Sequence, residues 1–592
     1  MRHFQFLFIV LMVLFLANCS TITETSPRQS RSILSPYTLP AEAYLAMAKK
    51  QTGEEQQELL IMAAGRYLQE GRWQQGNAIL AQVEPLSEET ADEKKILQAK
   101  ILLVRGQTNT VLTTLGGIKA LRQLTDYYQA EYHDILAQTY QKQNNLILSV
   151  SERIKLEPLL PDEQTQQNNR RALWLSLTHL PIEELETLTL ETPKGSVIQG
   201  WLKLATISRK YHLRPQMMLT QLEQWQEEYP RHPGIGLLPY SLEEMRMHLY
   251  PPPKKVALLL PLTGVLAGPG IAIKEGFLAA LEASGAAQFM HVRFYDTNAL
   301  AIAALYEQAC QEGAQLIIGP LTKNDVARVA ELEHPVPTIL LNDVRTPLPP
   351  DTFQFGLSPQ LEARQVAARA QKEGYSRALI IRLDNAWGEE IANAFQDQWT
   401  SNGGQIVDTL RYQPQDNFNQ RIRSILHIDA SESRTRQIKQ LLGRSIESTP
   451  HRRQDFDVIF LIAYPSSARQ IKPLLNYYYA GDVPVYATSS VYGGSLNTMR
   501  DRDLNGIIFC DLPWVFLHNL GDKNWPEQLN SYSRLYALGV DSFTLTTMLN
   551  ELLLFPAINN ENGILYLNTN HQISRILAFG QFREGRPERI PD

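Results

Sequence analysis

The chain has 592 residues, 44% hydrophobic and 20% charged, a globular balance that excludes a disordered or collagenous protein. That length exceeds what one hydrophobic core organises, so several domains are expected. A formal net charge of -6 argues against a nucleic-acid partner, and three cysteines are too few for a disulfide framework.

The chain begins "MRHFQFLFIVLMVLFLANC", with one arginine, an apolar run from Phe6 to Ala17, and Cys19. A helix over that run rises ~18 Å against a hydrocarbon core of ~30 Å, so residues 1–18 read as a signal peptide rather than a membrane span. Leu16-Ala17-Asn18-Cys19 resembles a bacterial lipobox, with Asn18 standing where Gly, Ala or Ser is usual. The resemblance implies that the peptide is cut before Cys19 and that Cys19 carries the acyl chains, which together make a stable anchor. Ser20 follows where Asp would imply inner-membrane retention, so the expected location is the periplasmic side of the outer membrane. The alternative is a plain secretory signal with an incidental cysteine. Residues 19–38 then read as a lipidated N-terminus and flexible tether. Cys310 and Cys510, the other two cysteines, fit either a bridge or two buried thiols.

Residues 39–250 carry helical periodicity throughout. Ala64, Tyr67, Gly76 and Leu80 recur as Ala99, Leu102, Val111 and Leu115, close to the tetratricopeptide period of about 34 residues. A weaker third copy sits at Ala137 and Tyr140. Tetratricopeptide-like pairs and helical hairpins of no special family both predict a solenoid, which offers a partner surface. Trp201, Leu204, Ile207, Leu219, Leu222 and Trp225 follow at helical spacing and are expected in a core. Prolines at 230, 233, 239 and 251–253 then stop any long helix and mark a domain boundary.

Residues 251–592 change rhythm. Strands are predicted at "KVALLLP", "HVRFYD", "AQLIIGP", "PTILLND" and "FQFGLS", with helices between the first four. A helix from Pro359 to Gly374 leads to a second series, "RALIIRL", "QIVDTLRY", "FDVIFLIAY", "PVYATS" and "GIIFCDLP". Short apolar strands joined by helices imply parallel sheets, here two facing αβα lobes. The tail from Gly563 reads as one alternating hairpin turning at Asn568–Asn570. The fold class is α plus α/β multidomain: an all-α tetratricopeptide-like solenoid, then a two-lobed αβα unit.

Signatures of hydrolytic and nucleotide chemistry are missing: no HExxH, GxSxG, SxxK, P-loop or GxGxxG occurs. An enzyme is therefore not expected, nor a cofactor or metal. Ligands in open α/β sheets bind beyond the carboxyl ends of the strands. Those ends supply a candidate cleft: Thr263, Gly264, Leu321, Thr322, Asn342, Asp343, Asp384, Trp387, Tyr464, Thr488 and Ser489. Gly264 serves the backbone bend whether or not a ligand binds, so the turn after the first strand is read as scaffold.

"PLTGVLAGPGIAIKEGF" and "LDNAWGEEIANAF" resemble segments of type I periplasmic binding proteins. Receptors of that kind hold a ligand's α-amino group with an acid, a role open here to Asp343, Asp384 or Asp511. With the lipobox and the helical region, the segments "GWLKLATISRKY", "WQEEYPRHP", "IKPLLNYYYAGDVPVYATSSVYGG" and "FCDLPW" resemble the outer-membrane lipoprotein activators of class A penicillin-binding proteins. That resemblance implies a non-enzymatic protein that works near peptidoglycan and stimulates transpeptidation by docking on the synthase. The alternative is a lipid-anchored receptor for a small amino acid or peptide. Two surface stretches remain: the six Lys or Arg residues between Ser431 and Phe456 form either a docking element or a solvated face. At least one of Tyr477, Tyr478 and Tyr479 is expected to face outward.

Overall fold

The computed structural model describes residues 35–590 apart from Gly71, Tyr240, Met247, Arg345, residues 444–448, Asn519, residues 521–525, Glu561 and Thr569. Cys19, the signal peptide and the tether up to residue 34 lie outside the described residues. No helix among the described residues is long and apolar enough to cross a membrane.

Helices fill the chain from Ala41 to Arg246 and stack as antiparallel hairpins, as in Glu54–Gln69 on Trp73–Leu80 and Glu88–Val104 on Thr108–Gly116. The small repeat positions explain the close stacking: Ala64, Ala99 and Ala137 are wholly buried, with Leu80, Val111 and Leu115 beside them. Side-chain caps set several helix starts, with Ser87, Asp162 and Ser196 accepting the N–H of Thr90, Thr165 and Gln199. Trp201 and Trp225 are core residues, as their spacing predicts.

That core does not end with the helices. Leu554, Phe555, Ala557 and Ile564 pack into it. Trp174 stacks on Phe555 with centroids 5.1 Å apart and donates through Nε1 to the Ala557 carbonyl at 2.8 Å. Beside it Ser208 donates to the buried Glu551 carboxyl. The helical array and the first lobe thus share one apolar seam, although the prolines between them read as a simple boundary.

The first lobe is a parallel sheet in the order β2-β1-β3-β4-β5, built from β1 (Lys255–Leu260), β2 (His291–Asp296), β3 (Leu316–Ile318), β4 (Thr338–Leu340) and β5 (Thr352–Gln354). The second repeats that order with β6 (Arg377–Leu383), β7 (Gln405–Tyr412), β8 (Val458–Ile462), β9 (Val485–Ala487) and β10 (Ile507–Asp511). All ten strands overlap the predicted runs, although β5 ends at Gln354, inside the predicted "FQFGLS". Continuous apolar strands such as β8, buried at every position, are what a sheet covered on both faces requires.

The C-terminal segment departs from expectation twice. Tyr532–Leu554 is a 23-residue helix that the strand–helix rhythm did not announce. It runs from the second lobe to the helical seam and lies against Ala267–Ala283 in the first lobe. Glycines permit that approach: a Cβ on Gly276 would sit 1.9 Å from the Tyr536 carbonyl, and one on Gly539 2.0 Å from that of Ile273. The tail is two hairpins rather than one. β12 (Gly563–Leu567) and β13 (Ile573–Ile576) pair with β11 (Ile558–Asn560) in a separate sheet. β14 (Ala578–Arg583) and β15 (Arg586–Arg589) extend the second lobe, β14 antiparallel to β10. The run from Ile576 to Phe579 that joins the hairpins is apolar without a break, so no turn signal shows where the chain changes sheets.

Cys310, in a first-lobe helix, and Cys510, in β10 of the second lobe, are both free thiols. The basic stretch divides. Arg452 and Arg453 turn inward, Arg452 onto Asp482 at 2.8 Å and Arg453 onto Asp408 at 2.8 Å. Arg434 and Arg436 stay exposed on the helix Ile428–Leu442. Of the three tyrosines, Tyr477 and Tyr479 face outward and Tyr478 is buried.

Candidate functional site

Two cavities open beyond the carboxyl ends of the strands. The smaller, ≈ 270 Å³, is lined by second-lobe residues Trp387, Tyr464, Arg469 and Ser489 and by Tyr532 and Arg534 at the start of the long helix. The larger, ≈ 1080 Å³, lies between the lobes, where Lys323, Asn342 and Asp343 face Trp387, Arg364 and the hairpin residue Gln572. Trp387 lines both and stacks on Tyr464, centroids 4.6 Å apart and planes 12° from parallel. Asn385 begins the helix that carries Trp387 by accepting the Gly388 N–H, which fixes the ring's starting point.

The floor of the smaller cavity is a buried charge network. Ser531 caps the long helix by accepting the Arg534 N–H, and this turns the Arg534 side chain inward. Its guanidinium holds Asp511 through Nε at 2.9 Å and Nη2 at 2.7 Å. Nη2 also donates to the carbonyls of Ser489 and Tyr492 at 2.8 and 2.9 Å. Glu362 completes the group by accepting the Ser489 N–H at 2.8 Å and its hydroxyl at 2.9 Å. Burial opposes the Arg534 charge, but Asp511 outweighs it and the pKa rises. Burial, then the neighbouring Asp511 charge, pushes Glu362 up to about 7, against the pull of Arg534 and Ser489.

Of the sequence-predicted cleft residues, Asn342, Asp343 and Trp387 meet in the larger cavity, and Trp387, Tyr464 and Ser489 in the smaller. The others line neither, and each is engaged elsewhere. Thr263 donates to Asp296 Oδ2 at 2.7 Å, and Asn298 Nδ2 donates to the Thr263 carbonyl at 2.7 Å. Gly264 supplies the positive φ of 74° that this turn requires. Leu321 accepts from Asn342 Nδ2 at 2.9 Å, while Thr322 caps Lys323–Ala330. Asp384 extends the pairing with β7 through its N–H to the Tyr412 carbonyl at 2.8 Å, its side chain exposed. Thr488 is buried against Ser490. The turn after β1 is therefore closed by its own hydrogen bonds.

The acids considered for an α-amino group fare no better. Arg534 occupies both oxygens of Asp511, and Gln572 Nε2 donates to Asp343 Oδ1 at 3.0 Å. Sequence reading missed Glu362, Arg469 and Arg534. Arg534 sits on the unannounced helix, and Glu362 lies inside the predicted helix from Pro359 to Gly374, where helical spacing does not single out one acid.

The family model described as "LppC putative lipoprotein" matches residues 36–585. Penicillin-binding protein activator LpoA of Aliivibrio fischeri is 26% identical, with 96% of this chain and 96% of that protein covered. The LpoA of Photobacterium profundum is 27% identical over 93% of this chain and 91% of its own. Full-length LpoA from Haemophilus influenzae has a solved structure at 22% identity, covering 95% of this chain and 100% of that one, with a TM-score of 0.48. On the match that spans both the helical array and the two lobes, this chain belongs to the LppC lipoprotein family.

Proposed function

We propose that this protein docks on a class A penicillin-binding protein and stimulates its transpeptidase activity. The observation that carries this reading is the near-complete match to relatives named penicillin-binding protein activator, 96% of both chains in the Aliivibrio fischeri case. In this reading Cys19 holds the chain to the outer membrane, residues 19–38 tether it, the helical domain (39–250) gives reach towards peptidoglycan, and the two-lobed domain (251–592) docks. The protein is a regulator rather than an enzyme. Activation requires only that it bind the active form of the synthase more tightly than the inactive form. The saturated network at Arg534 supports this reading, because a group already bonded within the protein has little left for a ligand.

The test adds the chain from Ser20 to a class A synthase of the same organism and follows peptide cross-linking in new peptidoglycan. A saturable, stoichiometric rise is expected. Absence of both binding and stimulation overturns the proposal. The larger cavity favours a second reading, a lipid-anchored receptor for a small amino acid or peptide, with Asn342, Asp343 and Trp387 as contacts. A thermal-shift screen separates the two, since ligand at 100 times its Kd adds about 2.7 kcal/mol.

A further inference from the structure

We infer that a cavity in the helical array binds the carboxylate end of a short peptide, with Arg153 as its anchor. This site is independent of the lobes and of the activator reading. It encloses ≈ 580 Å³ between the helices Leu146–Leu156, Glu163–Thr178 and Val197–Tyr211 and the turn 230–236. Small-molecule sites commonly fall between about 300 and 1,000 Å³.

Arg153 lines this cavity, is 7% exposed and is bonded on one side only. Its Nη1 donates to Asn169 Oδ1 at 3.4 Å and lies 3.8 Å from Asp134 Oδ1. Nε is buried with no partner, and the hydrogen bond to Asn169 runs from Nη1, on the other side of the guanidinium. The Nε–H and one Nη2–H lie side by side along one edge of a guanidinium, at the spacing that a carboxylate's two oxygens accept. A buried Nε–H left unmet is costly unless something meets it.

The neighbouring polar groups are already satisfied. Arg170 is held by Glu157 at 2.6 Å and Glu163 at 2.9 Å. His232 Nε2–H donates to the Val197 carbonyl at 2.8 Å and Nδ1 accepts the Gly234 N–H at 3.0 Å, so the ring is neutral. Arg231, exposed and without an ion pair among the described residues, adds attraction for an anion at the rim. Ile154, Pro158, Leu173, Trp201 and Ile235 supply apolar wall. A single carboxylate followed by small apolar side chains fits this lining. A phosphate would leave charged oxygens against the wall with no donors.

The test titrates the chain from Ser20 with N-acetyl-dialanine, in the L,L and D,D forms, and with the corresponding C-terminal amides, by calorimetry. An acid is expected to bind about tenfold tighter than its amide, and added salt should weaken it. Arg153→Met should lose that preference, and Arg153→Lys should not restore it, because Lys lacks the paired edge. A D,D preference identifies peptidoglycan peptides as the source of the ligand, and an L,L preference identifies protein chain ends. Equal binding of acid and amide, or an Arg153→Met variant that binds unchanged, overturns the inference. So does failure of the unmodified chain to bind either acid up to about 10 mM, a range in which millimolar affinity is measurable.

Discussion

Two buried arginines face cavities in this protein, and they are used in opposite ways. Arg534, at the mouth of the second lobe, donates from all three nitrogens, to Asp511, to Asn530 and to the carbonyls of Ser489 and Tyr492. Arg153, in the helical array, donates from one nitrogen at 3.4 Å and leaves an edge unused. A buried charge near a cavity is therefore not by itself a site. Where every nitrogen is bonded, the residue is framework. Where an edge is left open and nothing else in the lining competes for it, the protein has kept a costly group for a purpose its own fold does not serve.

The largest effect expected from breaking this contrast is at Arg534. Arg534→Met leaves Asp511 buried without its partner, and a loss of about 3–5 kcal/mol is expected in chemical denaturation. A loss below about 1 kcal/mol would mean that the network is not structural. Next comes Glu551, buried at the seam between the helices and the first lobe, whose pKa burial pushes up from 4.5 to about 7. The folded chain holds that proton more tightly than the unfolded chain does. Its contribution is therefore full below about pH 4.5 and is lost as pH rises through about 7. Glu362, also raised to about 7, adds a slope of the same sign. Melting temperatures from pH 5 to pH 8 should fall more gently in Glu551→Gln than in the unmodified chain, and equal slopes would remove Glu551 from the account.

Arg153→Met provides the counterpart to Arg534→Met. Removing a guanidinium with unmet donors should change stability by no more than about 1 kcal/mol, and a gain is compatible with the arrangement. A loss near that of Arg534→Met would show that Arg153 is framework too. A small effect, of the same size as that at Arg153, is expected at the turn after β1. Thr263→Val removes one exposed hydrogen bond to Asp296 and should cost about 0.5–1.5 kcal/mol in the same denaturation measurement.

What was legible in the sequence follows the physics of local patterns. Central strands such as β1 and β8 were readable because a sheet buried on both faces needs continuous apolar runs, and "VIFLI" or "ALLL" admits few other readings, whereas the edge strands β2 and β7 are only partly buried. The helical repeat was readable because close-packed hairpins need small residues at fixed intervals, as at Ala64 and Ala99. The long helix Tyr532–Leu554 was harder. It is buried on nearly every side, so no polar face repeats along it to mark the helical period.

The cleft was legible only as a set of strand ends. Chain order placed Thr263, Asn342, Trp387 and Ser489 at the correct edge of their sheets, because parallel strands joined by helices leave their carboxyl ends together. It did not decide which side chains face a cavity. That depended on hydrogen-bond partners distant in sequence: Asp296 for Thr263, Gln572 for Asp343, and Arg534 for Asp511 and the Ser489 carbonyl. The sequence by itself determined the helical array and the strands of the two parallel sheets, since burial periodicity and connection length are local properties. Only the tertiary structure decided the shared seam at Phe555, the division of the tail between two sheets, and which buried charges are satisfied. Those outcomes depend on residues tens to hundreds of positions apart competing for the same donors, acceptors and apolar surface.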